Sequence, residues 1–276
     1  VTSVRRGGTY GPGKRPDVAA GRRDSVPLPV RGSRHILPLA VIGVVTAVVT
    51  FGSIFFIDWM PAARAEQADR VDDLTWFLTL SAGAIMVLVT TVLVYAVFAF
   101  RAKKGDESDG PPNHGNTKLE IAWTILPCIL LAVMGVWAWV VLDQNEQLES
   151  DRIEIEVEAA QFAWIFRYPD AGIQTGDLRV PDGRQIVLKM RSQDVIHDLY
   201  VPEWRLKQDV VPGITTEMIV DTQGVGTYPV ICAELCGAGH GIMRSRVIVM
   251  EQSDYDAWLR DASRQASAAA PATTTP

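Results

Sequence analysis

The chain has 276 residues, with 26 basic against 32 acidic side chains, a net charge of −6, an apolar content of 48% and three cysteines. That length holds one or two domains, the acidic balance excludes a bulk-electrostatic nucleic-acid binder, and three cysteines are too few for a disulfide scaffold. Mean hydropathy is positive at +0.12, which calls for a large core or for membrane spans.

Residues 1–35 carry eight basic residues (Arg5, Arg6, Lys14, Arg15, Arg22, Arg23, Arg31, Arg34) against Asp17 and Asp24, and read as a basic disordered tail. From Ile36 to Ile57 no Asp, Glu, Lys or Arg occurs for 22 residues; residues 36–58 read as an N-terminal transmembrane helix or a signal anchor. Ala63-Arg64-Ala65 resembles an A-x-A cleavage site, but the apolar stretch exceeds the roughly 7–15 residues of a signal peptide, which favours a retained helix. Leu74–Phe100 is uncharged for 27 residues and Ile121–Leu142 for 22. About 20 residues cross a bilayer core, so 74–144 reads as a transmembrane hairpin (74–100, 121–142). The 101–118 loop carries Arg101, Lys103, Lys104 and Lys118, whereas 58–73 has Arg64 and Arg70 beside five acids. The positive-inside rule then puts the N-terminus and the 101–118 loop in the cytoplasm, and every residue after Leu142 outside.

From 150 to 262 the pattern turns to β. Arg152-Ile-Glu-Ile-Glu-Val-Glu158 alternates with period two, the pattern of a half-buried strand. Further short runs at 162–168, 186–190, 195–201, 216–220, 228–232 and 245–250, separated by Pro/Gly/Asp-rich turns, predict an antiparallel sandwich or barrel. Residues 254–264 read as a short terminal helix and 263–276 as a disordered tail.

Chemistry is concentrated in Cys232-Ala-Glu234-Leu-Cys236-Gly-Ala-Gly-His240-Gly-Ile-Met243. Thiolate, imidazole and thioether together suit copper. A mononuclear blue-copper site would leave one thiolate spare, whereas two cysteines can bridge two metals, each completed by an imidazole and a weak ligand. His35 and His114 fall on the cytoplasmic side, leaving His197 in Asp194-Val-Ile-His-Asp-Leu-Tyr-Val-Pro202 to pair with His240. A Cys232–Cys236 disulfide and a zinc site remain alternatives, although Met is a poor zinc ligand. Cys128, inside the third span, reads as a buried apolar residue.

These motifs closely resemble subunit II of the haem–copper cytochrome c oxidases of bacterial type, over roughly residues 60–260. The resemblance implies an α-helical transmembrane hairpin, here with an additional N-terminal helix, followed by an all-β cupredoxin-like Greek-key sandwich with a binuclear copper A centre. It implies that Cys232 and Cys236 bridge the coppers, that His197 and His240 bind one each, that Met243 is a weak ligand, and that Glu234 supplies its carbonyl. The Glu234 side chain would face a magnesium site shared with subunit I. Glu120, in Asn116-Thr-Lys-Leu-Glu120, would sit at the mouth of a proton-uptake channel, with an ordinary first-turn Glu stabilised by the helix dipole as the alternative. The family's Q-W-x-W stretch reads Gln161-Phe-Ala-Trp164 here, so Phe162 replaces the Trp where electrons enter, with Trp164 beside it. Asp194 matches a donor-docking carboxylate, and Asp198 and Glu203 are weaker candidates.

The implied partners are the haem-bearing subunit I, subunit III, cytochrome c or a membrane-bound cytochrome c, copper chaperones and the lipid bilayer of a bacterial cell membrane. Residues 151–260 hold 17 acidic and 11 basic residues, a net −6 that steers a basic donor. A membrane-tethered copper carrier or assembly factor is the alternative reading, but such factors present C-x3-C on a thioredoxin-like α/β fold. A quinol-oxidase subunit II lacks the copper ligands, and nitrous oxide reductase would need a second, His-rich region.

Overall fold

The computed structural model describes residues 33–102, 104–105 and 115–269; the expected basic tail at 1–32, His114 and residues 270–276 lie outside them. The three uncharged blocks fold as α1 (Ser33–Phe56), α2 (Glu66–Ala99) and α3 (Thr117–Asn145), each long and apolar enough to cross a membrane. Small residues let α1 lie close on α2: Thr46 and Thr91 share a 2.9 Å hydrogen bond, and a Cβ on Gly83 would stand 3.1 Å from Ile54. α3 starts on an Asn116 cap, whose side chain accepts from the amides of Lys118 and Leu119. Its flanks are largely bare, so Cys128, expected to be buried, is exposed on them.

At 34 residues α2 is about 51 Å long, well beyond the roughly 30 Å of a hydrocarbon core. Its first two turns, Glu66–Asp73, therefore run eight residues ahead of the uncharged block and belong to the β-domain instead. Ala65, Gln67 and Ala68 are fully buried there. Ala65 bridges Thr222, and Arg64 exchanges backbone hydrogen bonds with Glu203 (2.8 Å) and Gln223 (3.1 Å). The small residues of the Ala63-Arg64-Ala65 triplet thus have a packing reason in the fold.

The β-domain is a sandwich of two five-stranded sheets. One has the order β3 (Ile173–Thr175), β2 (Ala163–Tyr168), β1 (Ile153–Ala160), β5 (Gln185–Ser192), β8 (Thr216–Asp221). The other runs β4 (Leu178–Pro181), β10 (Arg244–Met250), β9 (Gly226–Cys232), β6 (His197–Val201), β7 (Leu206–Val210). The alternation read in β1 holds: Ile155, Val157 and Ala159 are buried, while Glu154 and Glu156 are exposed. Facing residues such as Phe166, Leu188, Leu199, Val230 and Val247 fill the space between the sheets.

Three features depart from the sequence-based expectation. The sheets are mixed rather than antiparallel, because β1 pairs in parallel with β5 and β4 with β10. Strands β3, β4 and β7 are additional, and each is an edge strand, short or weakly patterned as edges tend to be. The terminal helix α4 spans Gln252–Ala269, so residues 263–269 are helical rather than disordered. Alanine-rich sequence favours helix, and Tyr255, Trp258, Leu259, Ala262 and Ala266 give it an apolar face on the core.

Gln67 anchors α2 in this domain: its Nε2 donates to Asp221 Oδ2 (2.7 Å) and its Oε1 accepts from the Asp221 amide (2.9 Å). Gln67→Ala takes these partners from the half-buried Asp221, at about 1–3 kcal/mol. We expect the β-domain of the full-length chain to melt at lower temperature by near-ultraviolet circular dichroism, although the substitution lies on a membrane helix.

Candidate metal centre

The long connection between β9 and β10 carries four of the six expected metal-site residues, the end of β9 carries the fifth and β6 the sixth. Cys232 ends β9, and the β6–β9 register sets it opposite Leu199, two residues after His197. The loop is closed by Cys232 N donating to Met243 O (3.2 Å) and tied to β6 by Ala233 N donating to Asp198 O (3.0 Å). Five soft or imidazole donors converge as a result. The two sulfurs lie 3.8 Å apart, Cys232 Sγ is 3.9 Å from His197 Nδ1, and Cys236 Sγ is 3.8 Å from both His240 Nδ1 and Met243 Sδ. His197 therefore stands on the Cys232 side and His240 on the Cys236 side. The Glu234 carbonyl is 3.2 Å from Cys232 Sγ, and its side chain is exposed.

Elements from both sheets hold this loop. Asp194, in the β5–β6 connection, accepts His197 Nε2–H at 2.9 Å, which leaves Nδ1 turned toward the sulfur, the usual device for fixing a metal-binding imidazole. Asp194 also accepts the Gln161 and Val195 amides, both at 2.7 Å. Burial acts to raise its pKa, but the His197 contact and these two amides outweigh it and hold the carboxyl down at about 2. Gln161, at the β1–β2 turn, donates from Nε2 to Cys236 O at 2.6 Å. Beside it, Phe162 lies against Gly237 and Gly239, where a Cβ would approach its ring to 3.3 and 2.4 Å. Gly237 has φ +133, open to glycine but not to larger residues. Trp164 is buried, its ring 6.1 Å from that of His197 in an edge arrangement.

The donor set fits copper. Both thiols are free, with the sulfurs 3.8 Å apart. Metal–thiolate bonds near 2.3 Å let sulfurs at this separation share a metal. The fully buried Met243 weighs against zinc. Burial, reinforced by the neighbouring Cys232 thiol, pushes Cys236 up to about 11, so a bound cation would replace thiol protons.

The remaining candidates stand elsewhere. Glu120 is exposed and its Oε1 accepts the Asn116 amide at 3.1 Å, the contact of a helix-capping carboxylate. His35 bonds Tyr95 on α2, away from the cluster. Asp198 is buried, with burial pushing its pKa to about 6, and so offers no free surface carboxylate for docking, while Glu203 is half-buried with its Oε2 covered. Gln161 and the two loop glycines have no role in the sequence reading, where the only signals for them were the Gly-rich spacing and the residue before Phe162.

Known proteins are similar to this chain over most of its length. Residues 53–141 match the family described as cytochrome c oxidase subunit II, transmembrane domain, and residues 173–252 the family described as cytochrome c oxidase subunit II, periplasmic domain. A cytochrome c oxidase subunit 2 of Synechocystis sp. is 33% identical, over 79% of this chain and 80% of that protein. One of Thermostichus vulcanus is 32% identical, over 83% and 85%. The solved periplasmic domain of subunit II of the cytochrome oxidase of Bradyrhizobium japonicum is similar at a TM-score of 0.40 and 24% identity, covering 43% of this chain and 97% of that one.

Two sets of variants test the site. Asp194→Ala is expected to weaken metal retention about 10–100-fold in chelator competition, the usual cost of losing a second-layer partner. Gly239→Ala drives a Cβ into Phe162 and should lose the metal, whereas Gly241→Ala, with open space around it, should keep it.

Proposed function

The chain belongs to the cytochrome c oxidase subunit II family, and from that premise we propose that it is the electron-accepting subunit of a bacterial haem–copper oxidase. The observation that carries this reading is the convergence of His197, Cys232, Cys236, His240 and Met243 around two free thiols 3.8 Å apart. Those residues, with the Glu234 carbonyl, would hold a binuclear copper A centre, and bound copper supplies one-electron chemistry. Each electron leaves the haem of a cytochrome c donor, which is oxidised, and ends on the haem of subunit I, which is reduced and serves reduction of O2 to water with proton translocation.

The chain's own residues contribute rigidity, insulation and a contact face. Asp194 holds the His197 ring, Gln161 holds the loop backbone, and Phe162 covers the loop glycines where a donor would approach. Trp164 lies against the buried His197 ring. Leu235 and Ile242, both 78% exposed, give the metal-bearing end an apolar rim for a protein partner, set on a domain of net charge −6 that steers a basic donor. The exposed Glu234 carboxylate is available for a magnesium ion shared with subunit I, and Glu120 for proton uptake at the opposite end of α3. The β-domain would stand outside the membrane and the α2–α3 connection in the cytoplasm, with subunit III and copper chaperones as further partners. Nothing in the site favours the copper-carrier alternative, since four of its five donors are buried, and the loop that holds them is braced rather than presented for transfer.

The test uses the full-length chain, because Ala65, Gln67 and Ala68 belong to the β-domain core. Anaerobic copper loading should give two coppers per chain and a seven-line mixed-valence signal in electron paramagnetic resonance. Cys232→Ser or Cys236→Ser should abolish that signal. One copper per chain, or zinc in its place, would overturn the reading.

A further inference from the structure

Arg205 is the one non-glycine residue with positive φ (+59) among the described residues. It follows the 3₁₀ turn Pro202–Trp204 that joins β6 to β7, and side chains disfavour this left-handed backbone. Its guanidinium, 9% exposed, spends its donors across three segments. Nε and Nη2 form a side-on fork onto Asp72 of α2 (2.8 and 3.0 Å), Nη2 also reaches Pro61 O in the α1–α2 linker (2.5 Å), and Nη1 donates to Pro202 O (2.7 Å). Asp72 stands two residues before the uncharged block of α2, at the membrane boundary.

The same β6–β7 hairpin carries His197 at its far end, roughly 17 Å along the strand. One end of the hairpin is therefore pinned to the metal loop and the other to the membrane helix. A planar fork fixes direction as well as distance, which a single-point ammonium contact does not.

We propose that Arg205 is a positioning residue: by clamping Asp72 and Pro61 it sets the height and tilt of the metal-bearing sheet over the membrane helices, and so the alignment of the copper site with its electron acceptor. This rests on the function proposed above. Arg205 touches no metal donor, and its loss should leave the copper site intact while slowing the onward passage of electrons.

The test uses the assembled oxidase carrying Arg205→Gly, Arg205→Lys or Asp72→Asn, with Gly relieving the backbone strain while removing the contacts to Asp72, Pro61 and Pro202, and Asp72→Asn weakening the fork alone. Hydrogen exchange should rise several-fold in residues 61–72 and 202–206, while copper content and the resonance signal stay as in the wild type. Electron transfer from the copper site to haem after a light-triggered start should slow at least about tenfold, with Arg205→Lys intermediate and the double variant no worse than either single one. Wild-type exchange and wild-type transfer rates in Arg205→Gly and Asp72→Asn would overturn the proposal, as would loss of the copper signal along with the rate. A wild-type complex with no mixed-valence signal would instead overturn the function on which it rests.

Discussion

Two thiols held 3.8 Å apart inside a protein set the terms for everything around them. Burial, and then the neighbouring Cys232 thiol, push Cys236 up to about 11, so its sulfur keeps its proton when no cation is bound. A soft cation that replaces the Cys236 proton removes that cost. Keeping the pair ready, without collapse or exposure, requires a loop whose backbone is fixed before the metal arrives. Cys232 N to Met243 O closes it, Ala233 N to Asp198 O ties it to β6, and Gln161 pins Cys236 O from the opposite sheet. The imidazoles then approach from two sides, one on a rigid strand and one on the loop itself.

The sandwich alone does not account for the stability of this arrangement, because the membrane helices are built into it. Gln67 and Asp221 satisfy one another, and Gln185 joins them by donating to Asp221 Oδ1 (2.9 Å) and to Gln147 O (3.1 Å) just beyond α3. Both membrane-hairpin helices are therefore connected to the same two strands, β5 and β8. Buried polar groups of this kind stabilise only when every member is paired, and here the pairing fixes an orientation between domain and helices that apolar packing alone would leave free to slide. A relay needs such an orientation more than a carrier does.

Charge and hydrophobicity are distributed to match. Basic residues gather before α1 and between α2 and α3, while the β-domain has a net −6. Around the metal loop Leu235 and Ile242 are exposed and flank the ligands, beside the exposed Glu234 carboxylate. Long-range steering by an acidic surface and short-range desolvation at an apolar rim suit a partner that must arrive quickly and leave again. Phe162 packs its ring on Gly237 and Gly239, and Asp194 spends its carboxylate inward on His197.

Much of this was legible in the chain itself. Uncharged blocks longer than a bilayer core announce helices with no tertiary information, alternation in 152–158 announces β1, and a C-x-E-x-C-x3-H-x2-M spacing brings most of the donors together within one loop, where local geometry suffices. His197 was reachable only by elimination, since its place beside Cys232 comes from a strand register across 35 residues of sequence. The parallel pairing of β1 with β5, the edge strands, the burial of Gln67 in a domain that begins more than 80 residues later, and the fork from Arg205 to Asp72 leave no local trace. Periodicity and spacing report what a residue does to its near neighbours; which distant backbone it meets is settled by sheet register and by the need to pair buried polar groups. The sequence by itself determined the three spans, the β-type domain and the copper-suited donor set, whereas only the tertiary structure decided how those donors are braced and how the sheet that carries them is held to the membrane.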